Sequence, residues 1–478
     1  MTGDGAPVAG VERLLWDGLD ALARETTDRL PVGVKRRLVG PYNRLQERRA
    51  DRTFRARPHP VQWTAADAPR HLVLVVVDAL RADAVDPDVS PFLADRDVGA
   101  AVTAAPWTFP AVTSLLTGRY PHEHGAMRQS DAADRGATDL VVPPALPDDE
   151  ATLPDVLAGA GYQTYGGFAF HMPFFALAGR FERHALYDTA DAGTVLADAG
   201  DWLAAAAADG PTFSYLHLAD LHEPLRPPDA YARDFDVDLT IPNLRRWDYL
   251  EPGADGPAAE RYRRHRRRLY DAALAYVDDC LLAFHARLAD RLDDDLVLVV
   301  TADHGEAFGE FTGFDAERFV DSRPAYGVDH GGTPYESLAR VPLAVEGLDV
   351  APFDEVRAPA SSVDVTPTLL ESVGLTGALP TSGQPLSSAP PADRIPLVEA
   401  ARYGHEKKAA YLDGWKLVVS RGDDRTVAFR LPEEEPSWLP ESVERRLVEA
   451  LPPWPDAASH PVRLSAIARN RLEETGYV

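Results

Sequence analysis

Several things are scarce in this chain. It has one cysteine, Cys280, in 478 residues. That excludes an intramolecular disulfide framework and a cysteine-rich zinc site. The residue lies in the helical pattern "YVDDCLLAFHARL", where a lone thiol reads as a small buried hydrophobe. Lysine is nearly absent too. Only Lys35, Lys407, Lys408 and Lys416 stand among 49 Lys+Arg, the rest being arginine, against 75 Asp+Glu, for a net charge of −26. Such a balance repels a phosphate backbone, so no nucleic-acid partner is expected. It suits a salt-filled, halophilic cytoplasm, where screening weakens self-repulsion and carboxylates keep the surface hydrated; the alternative is a GC-rich genome and a merely acidic protein. Long apolar runs are missing as well. No stretch approaches the ~18 residues of a membrane span. "MTGDGAPVAG" has neither a basic n-region nor an apolar run, and "KRRL" at 35–38 is followed by "VGPYNRLQERR" where a signal would be apolar. A soluble, cytoplasmic protein is expected. Hydrophobic residues nevertheless make up 45% of the chain, enough for a sizeable core.

The layout follows from periodicity. Residues 1–67 read as a helical extension, with apolar residues at helical spacing in "VERLLWDGLDALA". Within it, residues 35–57 carry nine Lys/Arg against two acids, a basic island in an acidic chain. Two readings are open: contact with an anionic partner or membrane surface, and docking on the protein's own acidic face. From residue 68 the pattern changes. "HLVLVVV" (71–77), "TFSYLHL" (212–218) and "LVLVV" (296–300) are apolar runs suited to strands covered on both faces. Helical patterns separate them: "TLPDVLAGAG" (152–161), "GDWLAAAAA" (200–208), "LYDAALAYVDDCLLAFHARLADRL" (269–292) and "SSVDVTPTLLESVG" (361–374). The expected fold is therefore α/β, a mostly parallel central sheet with helices on both faces, over residues 68–395. A small antiparallel C-terminal subdomain is expected at 396–432, with "AAYLDGWKLVVS" and "RTVAFRL" as two strands around "RGDD". A Pro- and Glu-rich tail at 433–478 follows.

In an open α/β sheet, ligands bind beyond the carboxyl ends of the strands. Asp78 follows the first buried strand, Asp220 and His222 the second, and Asp303 and His304 the third. One acid after a strand is commonplace; three strands delivering acids and imidazoles to one edge form a site. Carboxylate and imidazole without thiolate suit a divalent cation such as Mn, Zn, Mg or Ca. Asp303 and His304 can both reach one ion if the turn is tight, and Gly305 permits that. Thr108 precedes "PAVTSLLTG", with Pro110 in the first helical turn and Gly118 at its end. There the helix dipole and a bound cation would lower the hydroxyl's pKa and favour an attacking alkoxide. As a plain N-cap the same residue would contribute about 1 kcal/mol. His330, in the glycine-rich loop "DHGGTPYE", can donate to an anionic ester oxygen or a leaving group; as a lone loop histidine it reads equally as a surface residue.

In this order, "VVVDALRAD", "TFPAVTSLLTGRYPHEHG", "LHLADLHEP", "VVTADHGEAFGE", "HGGTPYESLARVPL", "DVTPTLLESVG" and "EKKAAYLDGWKLV" resemble the sulfatase-like branch of the alkaline phosphatase superfamily. The resemblance runs from about residue 70 to 432. It implies a divalent metal held by Asp78, Thr108, Asp303 and His304, with His222 and His330 contacting the substrate. Four positions depart from the sulfatases it resembles. Those enzymes carry a cysteine or serine, converted to formylglycine, where this chain has Thr108, and an arginine four positions on, where it has Val112. Ala79 stands where a second acid often follows the first, and Gly331 where a lysine is conventional. Threonine cannot become formylglycine. The resemblance therefore implies the threonine-nucleophile members, which act on phosphoric esters through a phospho-threonine.

The expected function is metal-dependent hydrolysis or transfer of phosphoric or sulfuric esters, phosphodiesters first, on a small anionic substrate. The alternative is a catalytically inactive sulfatase fold that binds an anionic glycan or lipid head group. A mutase would need a serine nucleophile and a second metal set, which the sequence lacks. The run "RYRRHRRR" (261–268), after a Pro-rich insertion at 224–257, reads either as a lid that attracts an anionic substrate or as a helix face paired with local acids.

Overall fold

The computed structural model describes residues 32–57, 59, 70–127, 142–247, 256–292, 295–323 and 326–454. The expected helix start at 11–31, insertion residues 248–255 and tail residues 455–478 lie outside them. A seven-stranded sheet forms the centre: β1 (His71–Val77), β2 (Asp97–Val102), β3 (Gln163–Phe168), β4 (Arg183–Leu186), β5 (Thr212–Leu218), β6 (Leu296–Thr301) and β9 (Arg340–Glu346). Their order is β2-β9-β6-β1-β5-β3-β4, and β9 alone runs against the others. Leu72 to Val77 of β1 are fully buried, because β1 is central and covered by helices on both faces. That is why a β-branched, unbroken apolar run marks it. The expected mostly parallel sheet flanked by helices is the one observed.

A two-stranded ribbon, β7 (Ala307–Phe308) and β8 (Val328–Asp329), lies beyond β6. A second, antiparallel sheet contains β10 (Leu397–Val398), β11 (Lys407–Leu412), β12 (Trp415–Ser420), β13 (Arg425–Arg430) and β14 (Glu435–Pro436). "AAYLDGWKLVVS", expected as one strand, is two. Asp413 and Gly414 both have positive φ (48° and 75°), the two-residue turn that matches strand twist.

The flanking helices used below are α1 (Val32–Ala56), α2 (Thr108–Thr117), α3 (Ala192–Ala206), α4 (Pro257–Leu292) and α5 (Glu441–Ala450). No described helix is long and apolar enough to cross a membrane. Helix α1 lies along the outer strand β4. Its two acids point inward: Glu47 accepts from the Leu186 amide (2.8 Å) and Asp51 from the His184 amide (2.9 Å). A sheet edge that would otherwise offer unpaired amides is thereby closed. The basic island does dock on the protein, through Glu47 and Asp51 and, at its end, through Arg57, which pairs with Asp155.

Helix α2 is buried along its whole length. Gly118, at φ 65°, ends it in the left-handed conformation and donates to the Ser114 carbonyl. The "GRYPHEHG" segment then folds back: His124 Nε2 lies 2.8 Å from Ser114 Oγ, and the Ala126 amide donates to His124 Nδ1 (3.1 Å). Burial, with Arg119 and His122 nearby, pushes the His124 imidazole down to about 3. The unfolded chain therefore binds a proton below its ordinary pKa of about 6.5 while the native state does not, so stability is lost as pH falls from 6.5 toward 3. Between pH 7 and 5 the expected loss from this residue is about 2 kcal/mol. Denaturant titrations at both pH values should show a shallower change in His124→Gln; an equal slope would exclude His124 as the source.

Candidate active site

β1 sits between β5 and β6, so residues just past these three strands meet. Asp78 is held by its amide, which donates to the Leu218 carbonyl (2.9 Å). Asp303 and His304 follow β6 at a turn where Gly305 has no alternative: an added Cβ would lie 2.0 Å from the Ser337 carbonyl oxygen. Close approach, not an unusual φ, requires the glycine there. Thr108 is the first residue of α2, one position later than expected. Trp107 occupies the cap position with extended backbone and no capping side-chain bond.

These elements bring Thr108, Asp78, Asp303 and His304 together. Thr108 Oγ1 lies 3.4 Å from Asp78 Oδ2 and 3.3 Å from His304 Nε2. His304 Nε2 is 3.4 Å from both Asp78 Oδ1 and Asp303 Oδ2. His304 Nδ1 is 2.8 Å from the Gly305 carbonyl, which makes it the protonated nitrogen and leaves the lone pair on Nε2. Asp78 Oδ1 and Asp303 Oδ2 are buried and accept no hydrogen bond among the described residues. Two carboxylate oxygens and an imidazole lone pair thus face one point from which water is excluded. Acceptors repel one another there, and a cation satisfies all three. The residues fit the expected divalent ion.

Sequence reasoning passed over His217, inside β5. Its Nε2 lies 3.1 Å from Asp78 Oδ2 and its Nδ1 2.9 Å from the Tyr215 hydroxyl. All three side chains are fully buried. The Tyr215 hydroxyl donates to Nδ1, and Nε2–H donates to Asp78. Asp78, His217 and Asp303 cluster within 4.8 Å, but both ring nitrogens of His217 are engaged, so His304 is the better placed ligand. The available signal was the i, i+2 pair Tyr215 and His217, two hydrogen-bonding side chains on one face of a strand too buried for unpaired polar groups. The Ala79 amide also contributes, donating to Asp303 Oδ1 (3.3 Å) from a positive φ of 62°, a conformation that concentrates at functional sites.

Burial raises a carboxyl, but the imidazoles of His222, His217 and His304 outweigh it at Asp78 and hold its pKa well below the usual range. Asp303 goes the other way, raised by burial and by the Asp78 charge beside it. Two like charges in one dry pocket cannot both ionise cheaply without a cation.

His222 and His330 border this cluster. The His330 ring stacks on His304 at 4.4 Å between centroids and lies 4.8 Å from His222. Its Nδ1 is 2.7 Å from Asp329 Oδ1 and 3.4 Å from Glu306 Oε2. Although burial alone would lower it, these two carboxylates raise its pKa well above the ordinary value. His222 is lowered by burial, and its Nδ1 is 2.8 Å from the Glu223 carbonyl. The pair is thus one imidazolium and one neutral imidazole. Glu306, Asp329 and His330 form a second acid–histidine cluster. Arg323 Nη1, 3.0 Å from Asp329, and Arg266 Nη2, 3.8 Å from Glu306, already supply its positive charge, so the cluster fixes His330 rather than an ion. Gly331 explains the missing lysine. At φ 76°, with the Arg402 Cβ 3.0 Å from where its own Cβ would be, it donates to the Pro106 carbonyl (2.7 Å) and ties the His330 loop to the strand–helix turn before Thr108.

Two expectations fare differently. Asp220 does not join the site; it accepts from the Ala192 amide (3.2 Å) at the start of α3. The arginine run on α4 is the paired helix face: Arg261, Arg267 and Arg268 bridge to Asp238, Asp271 and Asp236. Arg266 is fully buried over the Trp247 ring, whose Nε1 donates to Glu306 (2.5 Å). Trp247, in the described part of the insertion, and Arg266 thus pack against Glu306. Val112 is fully buried in the core, so nothing replaces the expected arginine from that face of α2.

Comparison with known proteins agrees with this architecture. None of the curated proteins matches the chain. BT4656, solved in complex with its substrate D-glucosamine-2-N,6-O-disulfate, is 15% identical, with a TM-score of 0.61 over 80% of this chain and 96% of its own. The phosphonate monoester hydrolase SpPMH from Silicibacter pomeroyi is 18% identical, with a TM-score of 0.55 over 80% and 93%. A protein of the alkaline phosphatase superfamily from Vibrio parahaemolyticus is 16% identical, with a TM-score of 0.53 over 91% and 96%. At these identities the likeness is one of fold. The sulfatase family model matches residues 98–375, more than half of the sequence, including Thr108, His217, His222, Asp303, His304 and His330 but not Asp78 and Ala79 after the first strand. On that match, carried on this fold, the chain belongs to the sulfatase family.

Proposed function

We propose that the chain is a metal-dependent hydrolase or transferase of phosphoric esters, phosphodiesters first, with Thr108 as nucleophile. The observation that carries this is the buried Thr108 hydroxyl, 3.3 Å from His304 Nε2 and 3.4 Å from Asp78 Oδ2 at the start of α2. A divalent ion held by Asp78, Asp303, His304 and Thr108 would lower the hydroxyl's pKa and offset charge on the ester. Thr108 Oγ1, giving its proton toward Asp78 Oδ2, attacks phosphorus. A phosphorus–oxygen bond forms to Thr108 as the bond to the departing alcohol breaks. His330, an imidazolium set by Asp329 and Glu306, donates from Nε2 to that alcohol. The neutral His222 then takes a proton from water or from an acceptor hydroxyl as that oxygen bonds to phosphorus; the phosphorus–Thr108 bond breaks, Asp78 returns the proton to the Thr108 oxygen, and a phosphomonoester leaves with water or a new diester with the acceptor.

Chemistry and charge favour a phosphodiester. A formylglycine sulfatase frees sulfate by collapse of a hemiacetal, a path closed to threonine. A site with Val112 and Gly331 where two cations are conventional suits the single charge of a diester better than the double charge of a monoester. The catalytic unit is taken as residues 68–395, with 396–432 packed beside it. The test is a rate comparison with Mn present: a phosphodiester, a phosphomonoester, a phosphonate ester and a sulfate ester. The diester should turn over fastest, and chelation should abolish turnover. Faster sulfate-ester cleavage than every phosphorus substrate would overturn the assignment.

A further inference from the structure

Helix α1 turns its acids to β4 and its arginines away. Arg37, Arg44, Arg48, Arg52 and Arg55 are all exposed. No ion pair to any of the five is found among the described residues, whereas Arg57, at the end of the helix, bridges to Asp155 at 2.9 Å. At 100° per residue these five arginines fall within about 80° of arc, along roughly 27 Å of helix. Leu45, 45% exposed, borders the stripe. β4 is the last strand of the sheet, so the stripe lies on the rim of the domain.

We infer that this stripe is a docking surface for an anionic lipid bilayer. A convex row of guanidinium groups, four of the five following Pro41 on one stretch of helix, can touch a flat partner together. Guanidinium matches phosphate in a planar fork, and each basic residue at such a surface adds to binding. Leu45 can enter among the headgroups, as apolar residues of interfacial helices do. The net charge of −26 does not forbid this. Rim contact leaves most acids more than a Debye length, about 10 Å at 0.1 M salt, from the surface. Nucleic acid, which would need a wrapping surface, and a second copy of the chain are the competing occupants. The inference does not depend on which ester the site cleaves.

The experiment is vesicle flotation of the full chain. It compares phosphatidylcholine vesicles with vesicles in which about a third of the lipid is phosphatidylglycerol. Wild type should float with the anionic vesicles at ~50 mM salt, weaken toward ~1 M, and ignore neutral ones. The triple variant Arg44→Gln, Arg48→Gln, Arg52→Gln should lose about 100-fold in partitioning, while the same three positions changed to lysine should retain binding. Turnover of a soluble ester should be equal in all three proteins, which verifies folding. Absence of flotation by wild type, or flotation of the glutamine variant like wild type, would overturn the inference. So would a duplex that binds the stripe more tightly than vesicles, or a dimer that the glutamine variant dissolves.

Discussion

Thr108→Ala should lower kcat for a phosphodiester by about 10⁴-fold, roughly 5.5 kcal/mol of barrier, because it removes the atom that forms the covalent bond. The protein should still fold. The cap position of α2 is Trp107, not Thr108, and alanine is a good helix former. Asp78, Asp303 and His304 remain, so the variant should keep most of its metal affinity. Thr108→Ser should recover the greater part of the rate, since it restores a hydroxyl and loses only the methyl that stiffens χ1. Acid quenching of wild type during turnover should trap one phosphoryl group, located on Thr108 by peptide mass. Unchanged diester cleavage in the alanine variant would sink the nucleophile assignment. So would a trapped phosphoryl group on another residue.

A second large effect is expected at a residue that reaches the reaction only through its neighbour. His217→Phe removes the donor to Asp78 Oδ2 and strands the Tyr215 hydroxyl in the core. Partners that orient metal-ligating groups typically matter 10- to 100-fold, so Mn affinity and kcat/KM should each fall by about that factor. The buried Tyr215 hydroxyl, left without a partner, should cost about 1–3 kcal/mol of stability. His217→Gln places an amide donor near the same point and should restore most of the affinity. A merely structural role predicts something else: lost stability with the affinity of the folded fraction unchanged. Titrating metal-free protein with Mn and reading free Mn by its electron paramagnetic resonance signal separates the two. Equal affinity in wild type and His217→Phe would remove His217 from the site's account.

The legible part of the site was the part written locally. β1 and β5 were read at their observed bounds, since an unbroken β-branched run has few alternatives in a covered sheet. Asp78 and the Asp303–His304 couplet were found because they follow such runs directly. The glycine at 118 announced the end of α2 for an equally local reason, its left-handed backbone. Boundaries one residue out, as at Thr108, are ordinary for helix ends.

What stayed hidden depended on distance in the fold. Two facts separate Asp220 from Asp78: the first accepts from the Ala192 amide at the start of α3, the second faces His304. Both are acids just after strands, and only packing tells them apart. Tyr215 and His217 read as strand filling until β1 is laid against β5. The basic island at 35–57 was visible from composition, but the direction of its arginines was not, since that follows from the amides of β4 that Glu47 and Asp51 satisfy. Composition and pattern alone determined the layers, the parallel order of chemistry after strands, and the presence of a threonine where formylglycine cannot form. The tertiary structure decided which acids share a point, which imidazole carries a proton and which face of a helix meets solvent. Those outcomes turn on contacts between separate elements, such as Asp78 with His304, Asp220 with Ala192, Glu306 with His330 and Glu47 with Leu186, and the chain's local preferences carry no record of them.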